Sequence, residues 1–475
     1  MSRDLSRERM NPNVTLAVLA VSGLAYAVLS SAVVPALPTI QHGLHASETG
    51  VAWLLTGYLL SASVGTAILG RLGDMYGKEH VLVWTLVVLA AGTVLAGLAD
   101  SLPLLIVARA IQGVAGGIFP LSFGIIRDEF PREKVAGGIG LISAILGIGA
   151  GVGIVAGGLI AEHLSWHWLF WMPLVLIAAG VFCTWRFVPE SPVRLPGRIN
   201  WPAAVLMSVG MSLALVALSE TTSWGWGSAR TLGLLAVGLA ICAAWVIVET
   251  RSAEPLVDMT MMRLRGVWTT NLTAFLLGAG MYSSFIVFPR FAQLPRSTGF
   301  GYGASVVQSG LYLLPSTLGM VLVGSCAGFI AARFGSKSAA VVGSFVTAGA
   351  FGFIAGVHVH PYDMLISSAL LGIGIGLAFA ALGNLVVQAV PPEQTGVAGG
   401  MNTVMRTIGG AIGGQLAATF IQSHMSGGLP TSTGFMETFL MATGFLIVCS
   451  LAALLVPERR SRHGVAAEAE TARAG

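Results

Sequence analysis

Long apolar runs separated by short polar segments make up most of this chain. A helix of about 20 apolar residues crosses the roughly 30 Å hydrocarbon core of a bilayer, and each run reaches about that length. The pattern predicts fourteen membrane spans, numbered here in chain order. They cover residues 14–40, 48–70, 80–99, 103–126, 135–161, 166–188, 201–219, 230–249, 266–289, 304–332, 338–357, 362–389, 396–423 and 434–456.

The positive charges orient these spans. Of the 25 lysine and arginine residues, 20 fall in segments on the side of the N-terminus and only three in the opposite loops. Cytoplasmic loops of membrane proteins carry the excess of positive charge. Because an even number of spans returns the chain to its starting side, both termini are expected in the cytoplasm, and the chain in the cell membrane.

Composition agrees with an integral membrane protein and excludes other classes. Hydrophobic residues make up 55% of the chain, charged residues 10%, and the mean hydropathy is +0.81. The net charge of +4 is spread over short loops, so no patch for nucleic acid is expected. The four cysteines lie in apolar runs, without metal-ligand spacing. With no phosphate loop or catalytic triad in the sequence, we expect neither an enzyme nor a cofactor or metal.

A charged ten-residue stretch between spans 2 and 3 is the most informative motif. Residues 70–79 combine three glycines with Asp74 and Lys78, which predicts a tight loop with both charges at the water interface. About 258 residues later, residues 328–337 repeat the glycines of the first and eighth positions, with Ala332 in the place of Asp74. Such a repeat is typical of transporters built from two related halves.

A second repeat fixes the domain boundaries. The sequence Val-Ala-Gly-Gly opens span 5 at residue 135 and span 13 at residue 397. We therefore predict a six-helix bundle over residues 1–190, two extra helices with linkers over 191–255, a second bundle over 256–457, and a disordered tail over 458–475.

The stretch at residues 70–79 resembles the signature of the major facilitator superfamily, and the extra pair of spans resembles its fourteen-helix drug:proton antiporter branch. The resemblance implies an all-helical membrane fold with two pseudo-symmetric bundles that alternate access to a central cavity. It also implies a monomer in the lipid bilayer that exports hydrophobic or amphiphilic small molecules, such as drugs and antibiotics, in exchange for protons. Gly70, Asp74, Gly77 and Lys78 would then gate the transporter, with Asp74 against the start of span 13 near Val397.

Span 5 resembles the antiporter motif of the family. It carries glycines four residues apart, which remove side chains from one helix face and allow close packing. These predicted gating residues are Gly149, Gly153 and Gly157, and Gly147 and Gly151 form a second row. Ile154 stands where the family motif has its proline, so the motif supports antiport without establishing it.

Two arginines fall inside predicted spans. Arg109, in a stretch that resembles a family motif, is predicted to face the cavity with Gln112 one turn away; the alternative is an arginine that reaches the outer interface. Arg406, in a second such stretch, either faces the cavity or pairs with a loop acid or a helix carboxyl end. A fixed cation without a facing acid favours neutral or anionic substrates. The other predicted cavity residues are Tyr58, Tyr282, Phe285, Asn271 and Asn384.

The route of the proton is the open question. Leu29 occupies the place where the family commonly has an acid in the first span, and the sequence has no carboxylate at the centre of either bundle. The remaining proton-coupling candidates are Asp74, Asp128, Glu129 and His167. The alternatives are an uncoupled facilitator, an exporter of lipid-like or anionic metabolites, or a membrane sensor with this fold that transports nothing.

Overall fold

The computed structural model describes residues 11–191, 193–194, 198–426 and 429–457. The tail predicted over 458–475 lies outside this part. The first half contains α1 (Pro12–Gly43), α2 (Glu48–Tyr76), α3 (Lys78–Gly97), α4 (Leu102–Gly113), α5 (Ile118–Glu129), α6 (Arg132–His163) and α7 (Trp168–Phe187). The middle contains α8 (Trp201–Ser219), α9 (Thr221–Trp224), α10 (Ala229–Arg251) and α11 (Met259–Met262). The second half contains α12 (Arg265–Gln293), α13 (Val306–Tyr312), α14 (Leu314–Phe334), α15 (Ser336–Gly356), α16 (Pro361–Ala389), α17 (Thr395–Ser423) and α18 (Ser432–Leu454).

A short hairpin joins the last two helices. Strand β1 (Met425–Ser426) pairs antiparallel with β2 (Leu429–Pro430), with Met425 opposite Pro430. In the described residues the remaining regular structure is helical, so the chain is an all-α membrane protein.

Thirteen helical stretches in the described residues are long and apolar enough to cross a membrane. The remaining predicted span, span 13, corresponds to α17, which has 29 residues but is too polar to meet the same standard. Its glycines, Asn402 and Arg406 are buried against neighbouring helices. A helix in the middle of the protein need not be apolar, because little of its surface meets lipid.

Two predicted spans are interrupted. A 3₁₀ turn, Val114–Gly117, separates α4 from α5 within span 4, where Gly113 and Gly116 pack against the backbone of α2 around Ala62. Span 10 is divided into α13 and α14 at Leu313, and Pro315 follows in the first turn of α14. Proline fits there because its missing N–H has no acceptor in a first turn.

The predicted loop at residues 70–79 is almost entirely helical. Helix α2 continues to Tyr76 and α3 begins at Lys78, so Gly77 alone connects them, with φ of +107°. Gly335 connects α14 to α15 in the same way, with φ of +79°. Both positions require glycine, since other residues rarely adopt such backbone angles. The loop prediction is therefore wrong in length.

The two halves follow the same plan. Helix α1 packs along α6, and at the matching place α12 packs along α17. Two pairs then cross from one half to the other: α2 with α17, and α14 with α6. Because the sequence repeat relates α2 to α14 and α6 to α17, these two crossing pairs are structural equivalents.

The extra helices lie against the α2–α17 crossing pair. Helix α8 packs on α10, α2 and α17. The Trp226 Nε1 donates to Thr419 Oγ1 at 2.8 Å, and Gln394 Nε2 donates to Asp258 Oδ2 at 3.3 Å. The extra pair is thus attached to both ends of α17.

Candidate functional site

The side chain of Asp74 joins the two halves at the face that the sequence predicts to be cytoplasmic. It is fully buried, and its Oδ1 and Oδ2 accept hydrogen bonds from the backbone N–H groups of Gly396 at 3.2 Å and Val397 at 3.1 Å. These groups belong to the first turn of α17, where N–H groups have no acceptor within the helix. A carboxylate there also gains from the helix dipole. We refer to these three residues as the Asp74 contact.

A lysine and a second carboxylate complete this charged region. Lys78 Nζ lies 3.6 Å from Asp74 Oδ1 and 2.7 Å from Asp128 Oδ2. Ser191 Oγ donates to the same Asp128 oxygen at 2.5 Å, while Asp128 Oδ1 is buried and has no hydrogen-bond partner in the described residues. Two carboxylates therefore share one ammonium group.

The expected location of Asp74 and Lys78 at the water interface is wrong. Both side chains are 0% exposed, and that of Asp128 is 1% exposed. The sequence places them at the end of a span, which is at the membrane surface in an isolated half. Contact with the second half and the linker after α7 then covers them, and buried charges of this kind require the pairing seen here.

Arg127 makes a second polar contact between the halves. Its NH1 donates to Thr395 Oγ1 at 2.6 Å, and its NH2 donates to the carbonyl oxygen of Val390 at 2.8 Å. In the sequence Arg127 contributes only to the orientation of the spans, because nothing local reveals that it reaches a segment more than 260 residues away.

Glycines bring the helices of the α2–α17 pair into backbone contact. A Cβ added to Gly70 would lie 2.7 Å from the carbonyl carbon of Gly396, and one added to Gly400 would lie 2.9 Å from the carbonyl oxygen of Thr66. The backbone atoms cannot rotate away, so larger residues would separate the halves.

The three glycines predicted to gate through span 5 face their own half. Gly149 and Gly153 pack against Val28 of α1, and Gly157 packs against the next turn of that helix. The second row faces the other half, since Gly147 packs against Met320 of α14, and Gly151 against Thr317 of the same helix. Of the two glycine rows of α6, the one that packs between the halves is therefore the row with Gly147 and Gly151.

Arg109 lies inside the first half, fully buried. Its NH1 donates to Gln112 Oε1 at 2.8 Å, and its Nε donates to the Leu54 carbonyl oxygen at 3.3 Å. The guanidinium carbon lies 4.1 Å from the centre of the Tyr58 ring, a cation–π distance. The remaining nitrogen, NH2, has no partner in the described residues. This burial disfavours an arginine that reaches the outer interface.

Arg406 lies in the second half in a similar environment. It is 7% exposed, and its guanidinium carbon lies 4.2 Å from the centre of the Phe379 ring. In the described part of the chain, no acid forms a salt bridge with either Arg406 or Arg109. The alternative pairing of Arg406 with a loop acid is therefore absent among the described residues.

Tyr26 lies beside the aromatic partner of Arg109. Its ring stacks on Tyr58 with 6.1 Å between centres. In the second half, Tyr282 contacts Phe285 edge to face at 5.9 Å. We name this group the central cluster: Tyr26, Tyr58, Arg109, Tyr282, Phe285, Phe379 and Arg406.

The central cluster is costly to bury. An arginine at mid-membrane costs about 2.5–3.5 kcal/mol on insertion scales. A desolvated cation–π contact returns about 2 kcal/mol or more, which offsets part of this cost. Tyr26 and Phe379 were missed at the sequence level; a tyrosine in the middle of the apolar first span is a signal that could have revealed Tyr26, whereas no local pattern marks Phe379.

The other candidates lie elsewhere. Asn271 Oδ1 accepts a hydrogen bond from Asn402 at 3.0 Å, and Asn384 Nδ2 donates to the Ala136 carbonyl oxygen at 3.3 Å. Asn384 thus bridges α16 and α6 within two turns of the end of α16. Two further candidates are at helix ends. Glu129 is the half-buried last residue of α5, and His167 precedes α7 and stacks on Trp166 with 3.7 Å between ring centres.

Two pseudo-symmetric helical halves, joined at one face and enclosing a buried central cluster, define a membrane carrier. The model of the Major Facilitator Superfamily matches residues 19–414, and the chain belongs to this superfamily of membrane transporters.

Its relatives include named resistance proteins. The chain is 30% identical to the tetracenomycin C resistance and export protein of Streptomyces glaucescens, over 89% of this chain and 78% of that protein. It is 27% identical to multidrug resistance protein 3 of Bacillus subtilis, over 83% and 77% of the two chains. Multidrug resistance protein Stp of Mycobacterium tuberculosis is 28% identical, over 88% and 78%.

Solved structures share the fold. The human organic anion transporter MFSD10 matches with a TM-score of 0.67 at 15% identity, over 93% of this chain and 99% of that one. The proton:xylose symporter XylE also matches with a TM-score of 0.67, at 13% identity, over 94% and 96%. At these identities the likeness concerns the fold alone.

Proposed function

We propose that this protein exports hydrophobic or amphiphilic small molecules, drugs and antibiotics among them, from the cytoplasm across the cell membrane. Both termini lie in the cytoplasm, and the protein works as a monomer without a cofactor. The relatives named for resistance to tetracenomycin C and to multiple drugs support an exporter. The distribution of positive charges supports the orientation.

The Asp74 contact is the observation that carries the mechanism. It is a non-covalent connection between halves, made by a side chain of one half with backbone N–H groups of the other. Breaking it opens the cytoplasmic face, and forming it closes that face while the central cluster remains between the halves. Alternating access through rocking of the two halves follows from such a contact.

We further propose that protons drive export through the buried charged region around Lys78. Asp74 and Asp128 face a single ammonium group, so this region carries one excess negative charge when both are ionised. A proton on Asp74 removes the charge that interacts with the start of α17. Protonation therefore weakens the Asp74 contact and favours opening, without an acid at the position of Leu29.

The test is transport into inverted proteoliposomes with tetracenomycin C and ethidium as probes, at fixed membrane potential, with and without an imposed pH gradient. A gradient of one pH unit supplies about 1.4 kcal/mol per proton, so several-fold stimulation is expected. Asp74→Asn and Asp128→Asn should each remove the stimulation. The matched control is Asp100→Asn, an exposed acid outside the region, which should retain it.

Each other outcome selects an alternative. Probe flux that ignores the gradient in the wild type identifies an uncoupled facilitator or an exporter of lipid-like or anionic metabolites with another energy source. If no probe crosses the membrane in any condition, the exporter proposal fails and a non-transporting sensor becomes the better interpretation.

A further inference from the structure

The two arginines of the central cluster lack counter-charges. Arg109 has one buried nitrogen without a partner, and neither Arg109 nor Arg406 forms a salt bridge in the described residues. The acids of the described chain with buried side chains all lie near helix ends: Asp74, Glu79, Asp128, Glu249 and Asp363. A buried cation without a counter-charge attracts an anion strongly in a low-dielectric region.

Aromatic rings surround these cations. Tyr58 lies under Arg109, and Phe379 lies under Arg406. Tyr26 stacks on Tyr58. Such rings offer flat apolar surfaces that pack well against a planar ring system.

Resting on the proposed export function, we infer that the central cluster is a binding site for aromatic anions. The carboxylate, sulfonate or phenolate group of the substrate binds between Arg109 and Arg406 and accepts a hydrogen bond from the free Arg109 nitrogen. The aromatic part of the substrate packs among Tyr26, Tyr58 and Tyr282. Arginine is suited to this role, because its planar group forms paired hydrogen bonds with carboxylates and stays charged.

A purely structural role for the arginines predicts a different behaviour. Arg109 already bonds to Gln112 and to the backbone of α2, so it could serve only to hold α4 against α2. In that case its removal would weaken the protein for every substrate alike. If the arginines instead bind anions, their removal should weaken binding of an anionic ligand more than binding of a neutral ligand of the same shape.

The experiment measures binding of three probes of nearly equal shape to the full-length protein in nanodiscs: 1-naphthoate, 1-naphthamide and 1-naphthylmethylammonium. Because a charge-assisted hydrogen bond is about twice as strong as a neutral one, naphthoate should bind at least about 10-fold more tightly than naphthamide. Arg109→Gln and Arg406→Gln should each weaken naphthoate binding about 10-fold and change naphthamide binding less than about two-fold. Arg109→Lys should restore part of the loss.

Arg290→Gln is the matched control, because Arg290 is exposed in the last turn of α12. This variant should leave all three affinities unchanged. Unchanged naphthamide binding also shows that a variant is folded. Equal affinity of the wild type for naphthoate and naphthamide overturns the inference, and so does a loss of naphthoate binding in Arg290→Gln equal to that in Arg109→Gln.

Transport of the same probes separates this inference from the exporter proposal. Export of the neutral or cationic probe without preference for naphthoate leaves an exporter and removes the anion site. Arginine-dependent binding of naphthoate without export of any probe keeps the site and removes the exporter.

Discussion

The two crossing pairs of helices, α2 with α17 and α14 with α6, are equivalent by the sequence repeat but are held by different interactions. Both contain a glycine-to-glycine approach, made by the equivalent glycines of α2 and α14. Gly70 meets Gly396 in one pair, and Gly328 meets Gly137 in the other, where an added Cβ would lie 2.8 Å from the Gly137 Cα. Close backbone packing is therefore common to both pairs.

In the described residues, a buried carboxylate that joins the two helices occurs in one pair only. Asp74 is buried and bonded to the first turn of α17, whereas Ala332 at the equivalent position is exposed. The glycines that connect the helices differ in their packing as well. Gly77 is packed against Glu190, whereas Gly335 has no atom of the described chain near its Cβ position. The comparison teaches that packing holds both pairs, and that in the described residues a buried carboxylate adds to the packing in the α2–α17 pair alone.

The largest effect is expected from the packing that both pairs share. Gly70→Ala and Gly328→Ala each place a methyl group against fixed backbone, and such overpacking typically costs about 1–3 kcal/mol. The closed form should lose population by about 5- to 150-fold relative to the open form in either variant. Spin labels at Tyr76 and Phe334, the exposed ends of α2 and α14, report opening as a longer distance.

Gly349→Ala is the control, because the Cβ position of this glycine is open. It should leave the distance distribution unchanged. A shift in Gly70→Ala without one in Gly328→Ala would mean that the two pairs do not share their packing role.

The second effect concerns charge and should be one-sided. Asp74→Asn keeps the size of the side chain but removes the charge at the start of α17, a loss of up to about 2 kcal/mol for a buried carboxylate at this position. Export turnover should fall about 10- to 30-fold while KM changes less than about two-fold, since the central cluster is untouched.

The reciprocal variant sharpens this comparison. Ala332→Asp adds an acid at the equivalent place, where it is exposed to solvent and should alter turnover less than about two-fold. If Ala332→Asp changes turnover as much as Asp74→Asn does, the effect on turnover depends on a charge at this position of the repeat rather than on the bonds to Gly396 and Val397.

Much of this comparison was predictable from the sequence. The repeat of residues 70–79 at 328–337, with Ala332 for Asp74, indicates both the pseudo-symmetry and the one-sided charge. The apolar runs indicate the spans, although α17 shows that a central helix can be recognised by its glycines better than by its hydropathy. These features depend on local pattern, which a sequence carries directly.

What could not be predicted depends on contacts between distant segments. Burial of Lys78 results from its packing against Gly124 and Asp128 of α5, which are not near it in the sequence, and Ser191 bonds to the same Asp128 carboxylate. The assignment of the glycine rows of α6 to α1 or α14 depends on helix rotation, which spacing alone does not fix. Likewise, Phe379 becomes part of the central cluster only because α16 brings its ring under Arg406.

The smallest effect is expected from Arg127, which supplements the Asp74 contact on the same side of the molecule. Its guanidinium bridges Thr395 and the carbonyl oxygen of Val390, but the side chain is only half-buried, so we expect about 1 kcal/mol from these bonds. Arg127→Gln should therefore reduce turnover about five-fold. Arg132→Gln, which removes an exposed charge at the start of α6, is the control and should leave turnover unchanged.

The double variant tests whether Arg127 and Asp74 act together. When Asp74→Asn is already present, Arg127→Gln should reduce turnover less than it does alone, because a closed form already weakened at α17 gains less from a neighbouring bond. Full additivity of the two variants would show that Arg127 and Asp74 hold the halves together independently.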